Sequence, residues 1–369
     1  MFLTFASVAS WEADAQMSVG YYEFKKTGAE YSGQLKRGKP NGIGRTIYKN
    51  GDIYEGEYLK GKRQGEGSFM SSDGERYVGL WMEDMKHGQG TYYFTNNNMY
   101  KGMWINDFQE GEGMMEYFNG DRYSGTWSKN KRNGEGKYVW AGGAEYTGTW
   151  KNDLKDGNGK MTWDDGSIYE GEWKDGFREG KGVFVYVNGD KYTGDWMDDM
   201  QHGKGSYFFH NGERYVGDYA RGERTGMGVY TYPNGDEYVG HFKNGKQDGT
   251  GTFKWANGAE YKGEWKENKR YGKGTYVWAN GDAYEGMWEN NMAEGHGILK
   301  TKEGTVYDGN FMRGKEDGKG VMTGPDGTVF EGNFKNGFKD GEFVEKNKDG
   351  KVIRTGSYRN GRLLEEKKM

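Results

Sequence analysis

The side chains of this chain that could carry chemistry recur in rows. Gly-x-Gly stands at thirteen places, from Gly42-Ile43-Gly44 to Gly318-Lys319-Gly320. A phosphate-cradling loop needs that turn once, opening a helix and followed by Gly-Lys-Ser/Thr. Thirteen copies without that continuation read as a strand element. The five histidines are His87, His202, His210, His241 and His296. His87 and His202 fall at the same place in the pattern, five repeats apart. They read as solvated turn residues, and a zinc shared between two chains is the one metal site they would permit. Asp164-Asp165 and Asp198-Asp199 supply paired carboxylates of the kind general acid–base catalysis uses. They sit at expected turns with no pocket around them, so they read as surface. Cysteine is absent, which removes thiolate nucleophiles, thiolate metal sites and disulfides. The expectation is a non-enzymatic protein with no cofactor and no metal.

Two rows remain. One is aromatic: Trp81, Trp104, Trp127, Trp150, Trp173, Trp196, Trp265 and Trp288 recur at one register position, a structural face that either closes on itself as core or receives an extended peptide or an amphipathic helix. The other is basic: Arg63, Lys86, Arg132, Lys155, Arg178, Arg224, Arg270 and Lys339 share a position in the longer of two expected turns. Stacked repeats would line these up along one edge. That edge reads either as a charge row that keeps strands from pairing with strangers or as a lipid-facing row for anionic membrane. Met85, Phe108, Phe177, Met200 and Phe338 beside it would add apolar contact, while Glu110, Asp156 and Glu179 would weaken it.

The elements that position these rows follow from one period. An aromatic followed by x-Gly recurs every 23 residues from Tyr31 to Phe330, without insertion or deletion. Counting from that aromatic, offsets 2 and 11 are glycine in all fourteen repeats. Offset 13 is glycine except at Phe343, and offset 20 except at Asn97. The 67 glycines and the 16% aromatic content exclude both a disordered chain and collagen, because such chains lack large rings. A net charge of −4 with mixed signs argues against bulk nucleic-acid binding. The absence of cysteine and of Asn-x-Ser/Thr fits a cytoplasmic home. Met1 to Ala9 is only mildly apolar and lacks a basic start, so a signal peptide is disfavoured. Met17 is an alternative start to Met1.

Within a repeat, offsets 0, 2 and 4 alternate with polar residues, as in Tyr169-Glu170-Gly171-Glu172-Trp173, and offsets 11 to 17 do likewise. That is strand periodicity, with rings and glycines on one face. Asn-Gly at offsets 19 and 20, as in Asn50-Gly51 and Asn280-Gly281, predicts a tight hairpin with both central residues at positive φ. Gly, Asn or Asp at offset 7 predicts a second fixed turn. The expected fold is all-β: an elongated, single-layer antiparallel meander of about 14–15 hairpin repeats and 28 to 30 strands, forming a twisted, grooved rod. Residues 1–30 read as a degenerate N-terminal repeat or cap, beginning at Trp11. Residues 31–350 are the array, and 351–369 a degenerate C-terminal cap with a charged tail, Glu365 to Lys368.

Tyr261-Lys262-Gly263-Glu264-Trp265, then Gly272-Lys273-Gly274, then Asn280-Gly281-Asp282 resembles the MORN repeat (membrane occupation and recognition nexus). The resemblance covers roughly residues 31 to 350. It implies a single-layer grooved β-sheet, and a chain that is nearly all repeat most resembles the cytoskeletal scaffolds of apicomplexans and kinetoplastids. The resemblance therefore implies a self-associating scaffold that organises cytoskeleton near membranes, with homo-oligomers and cytoskeletal or motor proteins as partners. The alternatives it implies are an adaptor for phosphoinositides or other anionic phospholipid, and a ciliary or flagellar adaptor like those of radial spokes.

Overall fold

The computed structural model describes residues 16–369, so Met1 to Ala9 and Trp11 lie outside the described residues. The described chain is all antiparallel β: thirty-one strands joined as successive hairpins into an open sheet that does not close, without a helix. Two compact units divide the chain, Met1–Phe177 and Arg178–Met369. Fourteen strands, from Ser18–Phe24 to Ile168–Lys174, lie in the first. Sixteen, from Lys191–Met197 to Arg362–Lys368, lie in the second, and the strand Phe177–Val185 runs across the boundary.

Each repeat contributes a seven-residue strand, such as Ile53–Leu59, and a nine-residue strand, such as Lys62–Met70. The two turns are the reverse of the sequence expectation. The tight two-residue hairpin is at offsets 6 and 7, where Lys60 and Gly61 have φ of 51° and 85°. The Asn-Gly segment makes the wider loop instead. The Gly51 amide donates to the Tyr48 carbonyl at 2.9 Å and the Tyr48 amide to the Asp52 carbonyl at 2.9 Å, and of Asn50 and Gly51 only the glycine has positive φ. Asn50 instead caps the loop through its side chain, accepting from the Asp52 amide at 3.2 Å. A type I turn followed by one left-handed residue is the normal three-residue hairpin connection.

The two glycines of Gly-x-Gly have different causes. At offset 11 the strand carries a bulge, and glycine there has positive φ in every repeat, from Gly42 at 87° to Gly341 at 94°. At offset 13 the backbone is extended. Gly263 pairs with Gly274, Gly274 with Gly286, and Gly286 with Gly297, so offsets 2 and 13 form one lane of facing glycines across the strands. The ring of each opening tyrosine lies on that lane. A Cβ on Gly274 would sit 2.3 Å from the Tyr261 Oη. The lane ends where Gly332 pairs with Phe343. There the tyrosine is replaced by Phe330, which stacks on Phe343 with centroids 5.1 Å apart and planes 19° apart. Loss of the glycine and loss of the tyrosine hydroxyl thus come together.

Glu365 to Lys368, expected as a charged tail, belong to the final strand, Arg362–Lys368, which is exposed throughout its length. It pairs with Val352–Arg359.

Candidate partner-binding groove

The opening tyrosines are the most buried side chains, at 0–1% exposure from Tyr31 to Tyr307. Each hydroxyl donates to the carbonyl three residues on, as Tyr261 does to Glu264 at 2.9 Å. Within each unit the rings from Tyr54 onward meet the offset-4 ring of their own repeat and that of the next edge-to-face, while Tyr31, with Leu35 at offset 4, meets Tyr58 alone. Tyr261 lies 5.2 Å from Trp265 at 87° and 5.3 Å from Trp288 at 80°. The result is a continuous ladder of perpendicular rings within each unit. Such a pair contributes about 0.5–1.5 kcal/mol beyond the area it buries. The eight tryptophans of the expected partner face, Trp81, Trp104, Trp127, Trp150, Trp173, Trp196, Trp265 and Trp288, are 3–7% exposed. They are core, and within each unit they form the floor of a groove. The Nε1 of Trp265 donates to the Gly251 carbonyl at 3.2 Å, and that of Trp288 to Gly274 at 3.1 Å.

The accessible rings stand one row further along, at offset 17. Trp140, Trp163, Tyr232 and Trp255 are half-buried and Trp278 is 38% exposed. In each unit they wall the groove on one side. Offset 21 carries a carboxylate in seven of the fourteen repeats. Asp190 is buried and accepts from the His210 amide at 2.8 Å and the Tyr207 hydroxyl at 2.9 Å. Burial pushes its pKa up, but the bonds from His210, Tyr207 and Asn188 outweigh it and hold it at about 2. Asp190 is therefore a fixed anion tying one repeat to the next.

The basic row is placed differently from the expected solvated edge. It lies in the nine-residue strand, not in a turn, and its side chains fold over the tryptophan floor. The guanidinium carbon of Arg63 is 4.1 Å from the Trp81 ring centre, that of Arg132 4.2 Å from Trp150, and that of Arg178 4.5 Å from Trp196. The Lys86 and Lys155 ammonium groups lie 4.7 Å and 3.8 Å from Trp104 and Trp173, and Lys339 lies 3.8 Å from Phe330. Burial lowers the pKa of both Lys86 and Lys339. A cation over an aromatic face is electrostatically favoured, and its alkyl stem covers ring surface that would otherwise meet water.

These cations are also tied to the next repeat. The Arg132 amide donates to the Asp153 carboxylate at 3.0 Å, its Nε to the same oxygen at 3.2 Å, and its Nη2 to the Asp153 carbonyl at 2.8 Å. Arg178 and Asp199 repeat that geometry, and Arg63 is joined to Asp84 through its amide at 2.8 Å and its Nη2, with its Nε 3.5 Å from the carboxylate. The turn residue at offset 7 thus clamps the basic residue of the preceding repeat, 21 positions earlier. The sequence carries this signal as the spacings Arg63 to Asp84, Lys86 to Asp107, Arg132 to Asp153 and Arg178 to Asp199. Reading each repeat by itself hides it.

The basic residue is missing at six places, and at two of them, Gln247 and Ala293, a groove opens over the floor. Gln247 lies between Arg224 and Arg270, and there a groove of about 560 Å³ is lined by Tyr232, Phe253, Trp255 and Trp265. Ala293 takes the place of the next cation, and a second groove of about 440 Å³ opens along Trp278, Trp288 and Phe311. His87 and His202, expected as solvated turn residues, lie on nine-residue strands, and the Nδ1 of each is buried without a hydrogen-bond partner. Among the described residues no group of three His, Asp or Glu is gathered as for a metal ion.

An open antiparallel array in which rings lie on a lane of glycines, with 23 residues to each unit, defines a β-hairpin repeat protein. The chain belongs to the MORN-repeat family: the MORN repeat matches residues 31–53, 54–76 and so on without a gap through 307–329 and 330–350. Among curated proteins, none matches the chain. Solved structures similar to it include the SAS-4 (dCPAP) TCP domain of Drosophila melanogaster in complex with a proline-rich motif of Ana2. The identity is 18% and the TM-score 0.28, over 48% of this chain and 90% of that one. The TCP10 domain of Danio rerio CPAP is 12% identical with a TM-score of 0.24, over 63% and 98%. Virginiamycin B lyase from Staphylococcus aureus is 13% identical with a TM-score of 0.13, over 91% and 98%.

Proposed function

We propose that this chain is a non-enzymatic scaffold that holds a segment of another protein along the ring-lined groove of its second unit. The observation behind this reading is the interruption of the basic cover at Gln247 and Ala293, which leaves aromatic floor and wall accessible together. A concave apolar surface with a few fixed polar groups is the usual form of a recognition site. In this reading the chain works in the cytoplasm beside cytoskeletal or motor proteins, as the MORN scaffolds it resembles do. The alternative of docking on anionic phospholipid through the basic row loses support, since Arg63, Arg132 and Arg178 already hold carboxylates.

Restoring the missing cover tests the reading. In Gln247→Arg/Ala293→Arg the new side chains have a precedent at the same position in Arg224 and Arg270, so the fold is expected to persist with an unchanged thermal midpoint. Selection of a random-peptide phage library on the native chain should enrich a shared motif that the covered variant does not bind. Enrichment of nothing, or of peptides that bind both proteins alike, would sink the proposal.

Self-association is a second reading. Among the described residues the final strand, Arg362–Lys368, pairs on one side only, and an unpaired strand edge is a template for another chain. Light scattering at micromolar concentration should then give an oligomer that deletion of residues 362–369 converts to a monomer. A strict monomer of the full chain would end this reading.

A further inference from the structure

The arginines that flank the open groove differ from the others in their partners. Arg63, Arg132 and Arg178 each face an aspartate at offset 7 of the next repeat, at 3.5, 3.2 and 3.0 Å. Arg224 and Arg270 do not. The Nη2 of Arg224 donates to the carbonyl of Gly245 at 2.8 Å, and that of Arg270 to the carbonyl of Asn291 at 2.9 Å. Neither residue has a carboxylate partner among the described residues. The groove between them includes no acidic side chain in its lining. Its floor is aromatic, and burial lowers the Arg270 pKa, so this cation is less well solvated than an ordinary surface arginine. A partly buried guanidinium without an anion is a costly arrangement that a bound carboxylate would relieve, with charge-assisted hydrogen bonds in two directions.

We infer that this groove binds an extended acidic segment of a partner protein, with one carboxylate on Arg224, a second on Arg270 and apolar residues on the rings between. The inference rests on the reading that the groove holds a partner segment, and it adds the chemistry of that segment. Arg224 and Arg270 stand on second strands two repeats apart, four strand spacings along the sheet. At about 4.8 Å per strand that is roughly 19 Å. A polyproline-type segment rises about 3.1 Å per residue, so acidic residues about six positions apart would reach both arginines.

The probe is a fluorescein-labelled heptapeptide, Glu-Pro-Leu-Pro-Leu-Pro-Glu, compared by fluorescence anisotropy with the same peptide carrying glutamine at both ends. The acidic peptide should bind the full chain at least tenfold more tightly, and more weakly as salt is raised. Arg224→Gln/Arg270→Gln should remove that preference. Glutamine stands natively at this position in Gln109, Gln201 and Gln247, so the fold should hold. Gly245→Asp/Asn291→Asp should have the same effect with both arginines kept, because it supplies the carboxylates that Asp84, Asp153 and Asp199 supply elsewhere. Asp84 and Asp153, with φ of 73°, and Asp199, with φ of 64°, show that aspartate accepts that backbone.

Equal binding of the two peptides would overturn the acidic preference while leaving a peptide-binding groove. Binding of neither peptide overturns the inference. Failure of the phage selection as well would remove the groove reading itself. Vesicles carrying phosphatidylinositol bisphosphate form the last arm. If they bind, lose binding in the arginine double variant, and the acidic peptide does not bind, the groove serves a lipid headgroup and the peptide assignment falls.

Discussion

Replacing Gly320 with alanine should destabilise the second unit more than the same change at Gly318, two residues away in the same Gly-x-Gly. A Cβ on Gly320 would lie 2.4 Å from the Tyr307 Cε2 and 2.5 Å from its hydroxyl. That ring is 1% exposed and is held between Phe311 and Phe334, at 5.2 and 4.9 Å, so it has nowhere to go. Overpacking of a rigid core costs about 3 kcal/mol. For a unit of this size each kcal/mol moves the thermal midpoint by about 2–4 °C, which gives a fall of roughly 6–12 °C. At Gly318 the added atom would meet nothing closer than 3.5 Å, and the penalty comes from φ of 99°. Gly318→Ala should therefore cost about 1 kcal/mol. Thermal unfolding followed by circular dichroism compares the two, and equal midpoints for Gly318→Ala and Gly320→Ala would show that the ring-on-glycine contact does not hold the repeat together.

Truncating the ring from above is the second large effect. Tyr261→Ala should cost about 4 kcal/mol, the range for deleting a fully buried large side chain that leaves a cavity. It removes two edge-to-face contacts at once, with Trp265 and Trp288, and uncovers the Gly274 backbone. Tyr261→Phe keeps the ring and loses only the bond to the Glu264 carbonyl, so about 1 kcal/mol is expected. Phe330 is a native precedent for the smaller change. Urea unfolding separates the outcomes. If phenylalanine and alanine destabilised equally, the hydroxyl rather than the ring would be the anchor.

Both effects have a counterpart that was visible before any coordinates. The 23-residue spacing of aromatic and glycine marks the strands, their alternation and the face that carries the rings, because these depend on residues within one repeat. The turns were only half legible. Asn-Gly is a strong hairpin signal, yet the two-residue hairpin formed at Lys60-Gly61 and its equivalents. Asparagine gains more from its side-chain bond to the amide two residues on than from a left-handed backbone.

The candidate site was legible in composition but not in placement. Residue types and spacing mark both the tryptophans, as core or partner face, and the basic row, as a free edge. The structure folds the second over the first. That pairing joins residues of neighbouring repeats, Arg132 with Trp150 and Asp153, so it appears only when hairpins lie side by side. The open stretch at Gln247 and Ala293 was hidden for the same reason, since a missing cation matters only once its neighbours are known to be lids.

The sequence by itself thus determined the repeat, the strand pairing and the need for glycine, because ring size and backbone sterics act over a few residues. Only the tertiary structure decided which rings are floor and which are wall, which cations are neutralised, and where the groove is open. Those depend on contacts between one repeat and the next, where exposure and charge balance are set by what lies alongside.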